Sequence, residues 1–522
     1  MYASIWITKK GGGHMKRTNA FFMAVLFCCI AGTALVASAA YHHAGSADTD
    51  AGNFLRVYPD KAGTKLDNCA TCHGGGVYTS SSGKKSTLGS CQYCHAATNY
   101  GADTGKYAQT LNSYGTAYMD NGRNETAIAN IQNEDSDSDG YSNLTEIQAN
   151  RYPGDANDHP GKVVAPFRIF TKKQLEAMPQ HRQFMLMNTT KSGDFYTQYS
   201  GVTMENLLKK AGISSSATRI FAYSPDGYAQ QHPLEDSSDN TGNSYAPFVI
   251  GSYPQASYFY AAEADKAINE TYGWCDYSSP NAQGRQNGDP IRVKNGLRLM
   301  LAIKADGTDL TPGVLGDDNK LTSGSEGPFR VVSPEKILGP PDQPSTKPAL
   351  GSIWQYNPSA DHNAGFSTKC ATMIKVDPLP DGTTDIDVME AGWGYVDQGK
   401  IVVYGALQGP QPIFPAAGAT KVNWHPAFFM WKHSPGVERK DIVSYKLEYT
   451  KDETLTDWTT VMIERSAKKA RMHFDPMVKD NTTIILEPNT RYWWRVTDLD
   501  ENGGTTVSSV RSFTTKAKPA RK

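Results

Sequence analysis

The sequence predicts a multidomain chain: a small α-helical domain, then a mixed α/β domain, then an all-β sandwich. Three observations lead there. A doubled Cys-x-x-Cys-His motif sits in a stretch too poor in aliphatic side chains to fold alone, at residues 69–95. From about Phe167 short helix-like and strand-like segments alternate, and the last hundred residues alternate apolar and polar side chains in strand-length runs.

The N-terminal segment comes first. "MKRTNAFFMAVLFCCIAGTALVASAA" has a short basic start, an apolar run and the small-residue exit Ala37-Ser38-Ala39, the pattern of a secretory signal peptide. Residues 1–39 are therefore expected to be removed, with translation starting at Met15, because "KKGGGH" upstream reads like a translated ribosome-binding site. A transmembrane anchor is the competing reading; the short run and cleavage-like end argue against it. Bulky Phe27 before Cys28 argues against lipid attachment there. Cleavage moves the formal charge from -1 to -5 and leaves six cysteines. Such a charge offers no support for nucleic-acid binding. With no further long apolar run, a periplasmic or extracellular protein without a membrane span is expected.

Residues 40–162 form the expected first domain. Eighteen residues separate the two Cys-x-x-Cys pairs, which also suits a four-thiolate zinc ribbon with its gap of about 15–20 residues. Two facts decide between zinc and haem. Export favours thioether chemistry, and a histidine follows each pair, which zinc does not need. Cys69, Cys72, Cys91 and Cys94 are thus expected to attach two c-type haems, with His73 and His95 as iron ligands. The stretch 61–105 offers only Leu66, Val77 and Leu88 as large aliphatics, and two porphyrins would supply the missing apolar surface. For the opposite iron faces the candidates are His42 and His43, on a short N-terminal tether, with Met119 and His159 as alternatives. Leu111, Tyr114 and Tyr118 define a helix face expected to cover a haem.

Within "NEDSDSDGYSNLTEIQ", Asp135, Asp137, Asp139, Tyr141, Asn143 and Glu146 fall at positions 1, 3, 5, 7, 9 and 12 of an EF-hand-like calcium loop, with Gly140 at position 6. Alternating hard oxygens wrap a large cation. In an exported protein a structural calcium is expected.

The Pro/Gly/Asp-rich run from Pro153 marks the first boundary, and residues 163–348 the α/β domain. "FTKKQLEAMPQ" and "VTMENLLKKAGI" read as helices, the second capped by Gly212; "RQFMLMNTT" and "TRIFAYSPDGY" read as strands. "YSGVTMENLLKKAGI", "AYSPDGYAQQHPLE", "GDPIRVKNGLRLMLAI" and "EGPFRVVSPE" resemble pieces of the molybdopterin-binding domain of the sulfite oxidase family. That family holds molybdenum through a cysteine near the start of the domain, whereas here no cysteine lies between Cys94 and Cys275. Molybdopterin is therefore not expected, and Lys16-Arg17 is not the twin-arginine pair that exports a folded, cofactor-loaded protein.

With its two haem motifs, its acidic loop and "GSEGPFRVVSPEKILGPPDQP", the chain resembles the GEGP motif-containing dihaem proteins of anaerobic metal-respiring bacteria. It differs in placing Ser325 before Glu326-Gly327-Pro328. After "GPPDQPSTKP", residues 349–418 read as a β-rich connecting segment. Residues 419–517 resemble a fibronectin type III domain, through Trp431, the alternation Tyr445, Leu447, Tyr449, and the corner Leu486-x-Pro488-x-Thr490-x-Tyr492. That domain is a spacer or a binding module; Trp493 or Trp494 on an exposed face would indicate surface attachment.

Cys275 and Cys370 remain once the haems are served. A disulfide between them is expected from export, against two separate buried thiols or a molybdenum ligand at Cys275. Three functions follow: an electron carrier working with redox proteins of an exported chain and a surface or extracellular acceptor; a molybdopterin oxidoreductase drained by haems; or a surface-binding module. The carrier is the expectation, with no catalytic residues.

Overall fold

Short capped helices fill the first domain and strand pairing dominates the rest. The computed structural model describes residues 49–67, 69–79, 85–87, 108, 110–225, 228–236, 247–262, 275–314, 321–346, 354–387, 392–455, 457–464, 475–476 and 484–519. The signal segment, His42, His43, Cys91, Cys94 and His95 lie outside the described residues. Among the described residues no helix is long and apolar enough to cross a membrane.

Helices Thr49–Val57, Ala70–His73, Ser113–Asp120, Glu125–Ile131 and Asn143–Gln148 enclose one small core. Phe54, Leu66, Tyr114, Tyr118, Ile128, Ile131 and Ile147 meet there. Leu111 does not share the helical face assigned to it, because the Asn112 side chain accepts the Gly115 amide and starts the helix at Ser113. Asparagine is among the strongest caps, so it outweighed an apolar residue one step earlier.

The central region departs from the α/β expectation: it is largely two sheets. In one, Asp194–Thr203 pairs with His181–Met187 and Met300–Ala305, and the latter with Arg330–Val332. In the other, Phe167–Thr171, Lys400–Gly405, Met373–Asp377, Arg219–Tyr223 and Ala229–Pro233 lie side by side. Val202, Leu301 and Val331 of the first sheet pack with Phe170, Ile374 and Val403 of the second. The helices inferred from sequence exist, at Lys172–Glu176 with a Thr171–Gln174 capping box and at Met204–Ala211 closed by left-handed Gly212. They are short fillers rather than crossovers between parallel strands. One parallel pair, Met373–Asp377 with Lys400–Gly405, has an intervening helix, Gly392–Gln398.

Residues 349–418 are therefore not a connector. Two of their strands stand in the middle of the second sheet, between Phe167–Thr171 and Arg219–Tyr223. The Pro-rich run before them looked like a linker from composition, yet Asp342 and Gln343 within it are buried.

The C-terminal region is a sandwich. Gln411–Phe414, Met430–Lys432 and Asp475–Pro476 form one sheet; Ile442–Thr450, Thr459–Glu464, Arg491–Asp500 and Arg511–Thr515 belong to the other. Trp431, Tyr445, Leu447, Trp494, Val496 and Phe513 fill the space between. The Glu487 amide donates to Tyr492 Oη at 2.9 Å, forming the tyrosine corner of such sandwiches. Trp494 is wholly buried; Trp493 is half-buried, with the Arg491 guanidinium 4.9 Å from its ring centre.

This sandwich shares a sheet with the central region. Thr505 pairs with Phe167, and the buried Arg168 guanidinium donates to Asp498 Oδ1 at 2.7 Å and to Thr506 Oγ1 at 2.8 Å. The first domain is fastened differently. Lys65 Nζ, fully buried, lies 2.6 Å from Asp158 Oδ2 and 3.4 Å from Thr384 Oγ1, and Val163–Val164 runs parallel to Thr383–Thr384.

Candidate haem and calcium sites

Cys69 leads into the helical turn Ala70–His73, whose Cys72 and His73 amides donate back to its carbonyl. Residues spaced i, i+3 and i+4 share one face of a turn. Both thiols are partly exposed, whereas the imidazole is buried. His73 Nδ1 lies 3.2 Å from the Thr110 carbonyl oxygen and 3.1 Å from its hydroxyl. A carbonyl only accepts, so Nδ1 carries the proton and Nε2 the lone pair. Burial lowers the His73 pKa to about 4, against the Thr110 bond, which raises it. The ring is thus neutral at physiological pH, its tautomer set by a backbone carbonyl in the manner of metal-ligating histidines.

Thr110, Asn112 and Gly115 hold this turn, and sequence reasoning missed them. Asn112 Nδ2 donates to the carbonyls of Thr71 at 3.1 Å and Gly74 at 3.2 Å, while its Oδ1 caps the following helix. Its backbone amide donates to the Cys72 carbonyl at 2.8 Å. A Cβ on Gly115 would stand 2.4 Å from that same carbonyl oxygen, so only glycine allows the approach. The residue types alone signalled the cap and nothing more. Asn112→Ala is expected to lower stability by about 2 kcal/mol, one cap and one set of buried carbonyls being lost together. Denaturant midpoints measure this, and Asn112→Asp, which keeps the cap without the donors, should recover part of the loss.

Of the alternative iron ligands, Met119 is half-buried on its helix. His159 stacks on Tyr141 with ring centres 5.5 Å apart, and its Nδ1 accepts the Gly161 amide. It is committed to the acidic loop.

In that loop one oxygen each of Asp135, Asp137 and Asp139 lie within 4.8 Å of one another. Asp135 draws in the amides of Ser138, Asp139 and Gly140, and Gly140 takes the left-handed conformation the turn requires. The Tyr141 amide donates to Asp139 Oδ1 at 2.9 Å. Glu146 is fully buried with neither carboxylate oxygen hydrogen-bonded, and both oxygens of Asp137 are likewise buried without partners. Burial, then the charges of Asp137, Asp139 and Asp135, push the Glu146 carboxyl up to about 9; burial and the charges of Asp139 and Asp135 push Asp137 up to about 6. Orphaned inward carboxylates of this kind fit a cation. Asn143 differs from the expectation: its amide nitrogen donates to Ile131 O and Ser136 Oγ, and its oxygen accepts the Ser136 amide, so it braces the loop.

Cys275 and Cys370 are not bridged to each other. Cys275 is buried among Phe184, Leu186, Tyr196 and Phe259, whereas Cys370 donates its amide to the Glu326 carbonyl and sits against Gly313. Spacing and export could not reveal that the two cysteines belong to different packing environments.

No family model matches the chain, and no curated protein matches it. Solved structures give partial likenesses. A fibronectin type-III domain of human fibronectin type III domain containing protein 3 is 20% identical with a TM-score of 0.15, over 21% of this chain and 86% of that one. A Streptomyces avermitilis alpha-L-rhamnosidase is 14% identical with a TM-score of 0.16, over 21% of this chain and 11% of that one. The chicken CNTN1 FN1-FN3 domains are 11% identical with a TM-score of 0.16, over 59% and 67%. The fibronectin type III-like character of the C-terminal sandwich rests on its own strand pairing and tyrosine corner.

Proposed function

We propose that this chain is an exported dihaem c-type cytochrome that carries electrons, with a structural calcium ion in its first domain. The observation that carries the reading is the buried, neutral His73, its Nδ1 proton held by the Thr110 carbonyl one position after Cys69-x-x-Cys72. Cys69 and Cys72 would hold one haem, and the repeat at Cys91, Cys94 and His95 a second. When bound, each haem supplies a one-electron iron couple. Thr110 orients the imidazole, Asn112 fixes the turn, and Phe54, Tyr114 and Tyr118 keep water from the core behind it. Asp135, Asp137, Asp139 and Glu146 would hold calcium. The signal-like N-terminus supports export to the periplasm or beyond, with redox proteins as partners.

Pyridine haemochrome and metal analysis of the purified protein test this together. Two haems, one calcium and no molybdenum are expected. Zinc without covalent haem, or stoichiometric molybdenum, would overturn it.

A further inference from the structure

Strand His181–Met187 runs into Asn188, whose backbone is held on both sides: its amide donates to Asn363 Oδ1 at 2.8 Å and its carbonyl accepts the Ala364 amide at 3.0 Å. The Asn188 side chain is 1% exposed, yet neither its oxygen nor its nitrogen makes a close, well-aligned hydrogen bond. Burying a carboxamide so weakly paired costs free energy. The Asp342 carboxyl stands beside it, within reach of a weak hydrogen bond from the Asn188 side chain. Asp342 is itself 2% exposed; Oδ2 accepts the Asn357 amide at 2.6 Å, and Oδ1 has no partner. His362 Nε2 lies 3.5 Å from Asp342 Oδ2, too long for a strong hydrogen bond.

The surroundings are short of positive charge. Asp194 and Asp361 are buried nearby and occupied by backbone amides, from Thr189 and Asp342 and from Lys336 and Ile337 respectively. Buried Glu335 is close enough to Asp361, Asp194 and Asp342 for like-charge repulsion. The Lys336 ammonium is turned to Asp236, 2.6 Å away.

We infer that Asp342, His362 and Asn188 form a second metal site, binding a zinc-class divalent ion through a carboxylate oxygen, the imidazole Nε2 and the carboxamide oxygen. Imidazole with carboxylate selects first-row transition ions over calcium or magnesium. Zinc bonds of about 2.0–2.1 Å in a tetrahedron set ligand atoms about 3.3 Å apart, close to the observed imidazole–carboxylate separation. Tyr356, its ring centre 5.2 Å from that of His362, holds the imidazole plane. The His362 side chain keeps 11% of its surface open, which gives an ion a way in. A water molecule in the same place would satisfy hydrogen bonds without offsetting the excess of carboxyl groups. This site goes beyond the electron-carrier reading and does not rest on it.

The test uses full-length, haem-loaded protein, stripped with a chelator, reloaded with zinc chloride and examined by metal analysis and zinc X-ray absorption. One zinc per chain with an imidazole ligand is expected. His362→Gln and Asp342→Asn should each weaken zinc binding at least about tenfold, and the imidazole signature should vanish in the first. Glu146→Gln should keep the zinc, which separates this site from the acidic loop. Should the His362 and Asp342 variants fail to fold, Asn188→Asp, of similar size with an added charge, must bind zinc at least as tightly as wild type. Failure to take up zinc, uptake equal in wild type and His362→Gln, or weaker binding in Asn188→Asp would overturn the proposal.

Discussion

Cys69→Ser with Cys72→Ser should remove one haem from the intact denatured mass and leave the other in place, while Cys91→Ser with Cys94→Ser should do the reverse. Each effect should be complete, because thioether attachment needs the thiols. The first pair should also loosen its domain, because Cys72 packs against the core that Phe54, Tyr114 and Tyr118 help to form. His73→Ala separates attachment from ligation. The covalent mass should stay, while the optical spectrum changes as iron loses a nitrogen donor whose tautomer Thr110 had set. Mass spectrometry of the four cysteine variants decides. If removing either pair leaves two haems, or if the wild type carries zinc on all four sulfurs, the cytochrome reading is wrong.

Calcium should stabilise the protein by about 4 kcal/mol at a thousandfold excess over its dissociation constant, and more strongly at pH 8 than at pH 5. Without the ion, the folded state holds Glu146 up to about 9 and Asp137 up to about 6, both through burial first and neighbouring carboxylates second. In the unfolded chain both titrate near pH 4. Below about pH 4 both states are protonated and these groups cost nothing. As pH climbs from there through 9, the unfolded chain ionises first, so calcium-free stability falls across that window. Calcium takes the ionised forms and cancels the slope. Glu146→Gln should flatten the calcium-free pH curve and abolish the calcium response; Asp137→Ala should abolish the response too. Thermal unfolding in chelator at pH 5 and pH 8 checks the argument, and equal midpoints would sink it.

Side chains acting within one turn or one loop were legible in the sequence. Cys69, Cys72 and His73 share a helical turn, and Asp135, Asp137 and Asp139 crowd one loop, because spacing of three or four residues already fixes proximity. Caps were legible for the same reason: Gly212 ends its helix in the left-handed conformation its neighbours require. Contacts across the chain were not. Thr110 reaches His73 over thirty-seven positions, and no local pattern marks it. Met373–Asp377 and Lys400–Gly405 read as strands, but their place at the centre of a sheet begun at Phe167 depends on pairings between distant residues. Asn143 shows a finer limit: its type and position suit a calcium ligand, yet the same carboxamide can brace Ser136 and Ile131, and only geometry chooses.

The sheet that passes from Phe167 to Thr505 bears on how the molecule can be handled and how it can act. Cutting before residue 419 would strip a neighbour from Phe167–Thr171 and take from the Arg168 guanidinium the Asp498 and Asp500 carboxylates that pair with it. The exposed strand edge would then invite self-association. In the whole chain the same junction, together with the contact of buried Lys65 with Thr384 that ties the first domain to the central region, links the sandwich to the turn bearing Cys69 and His73 through packed structure. A surface held by the sandwich would thereby be presented to that turn at a constant bearing, as a stock holds a barrel.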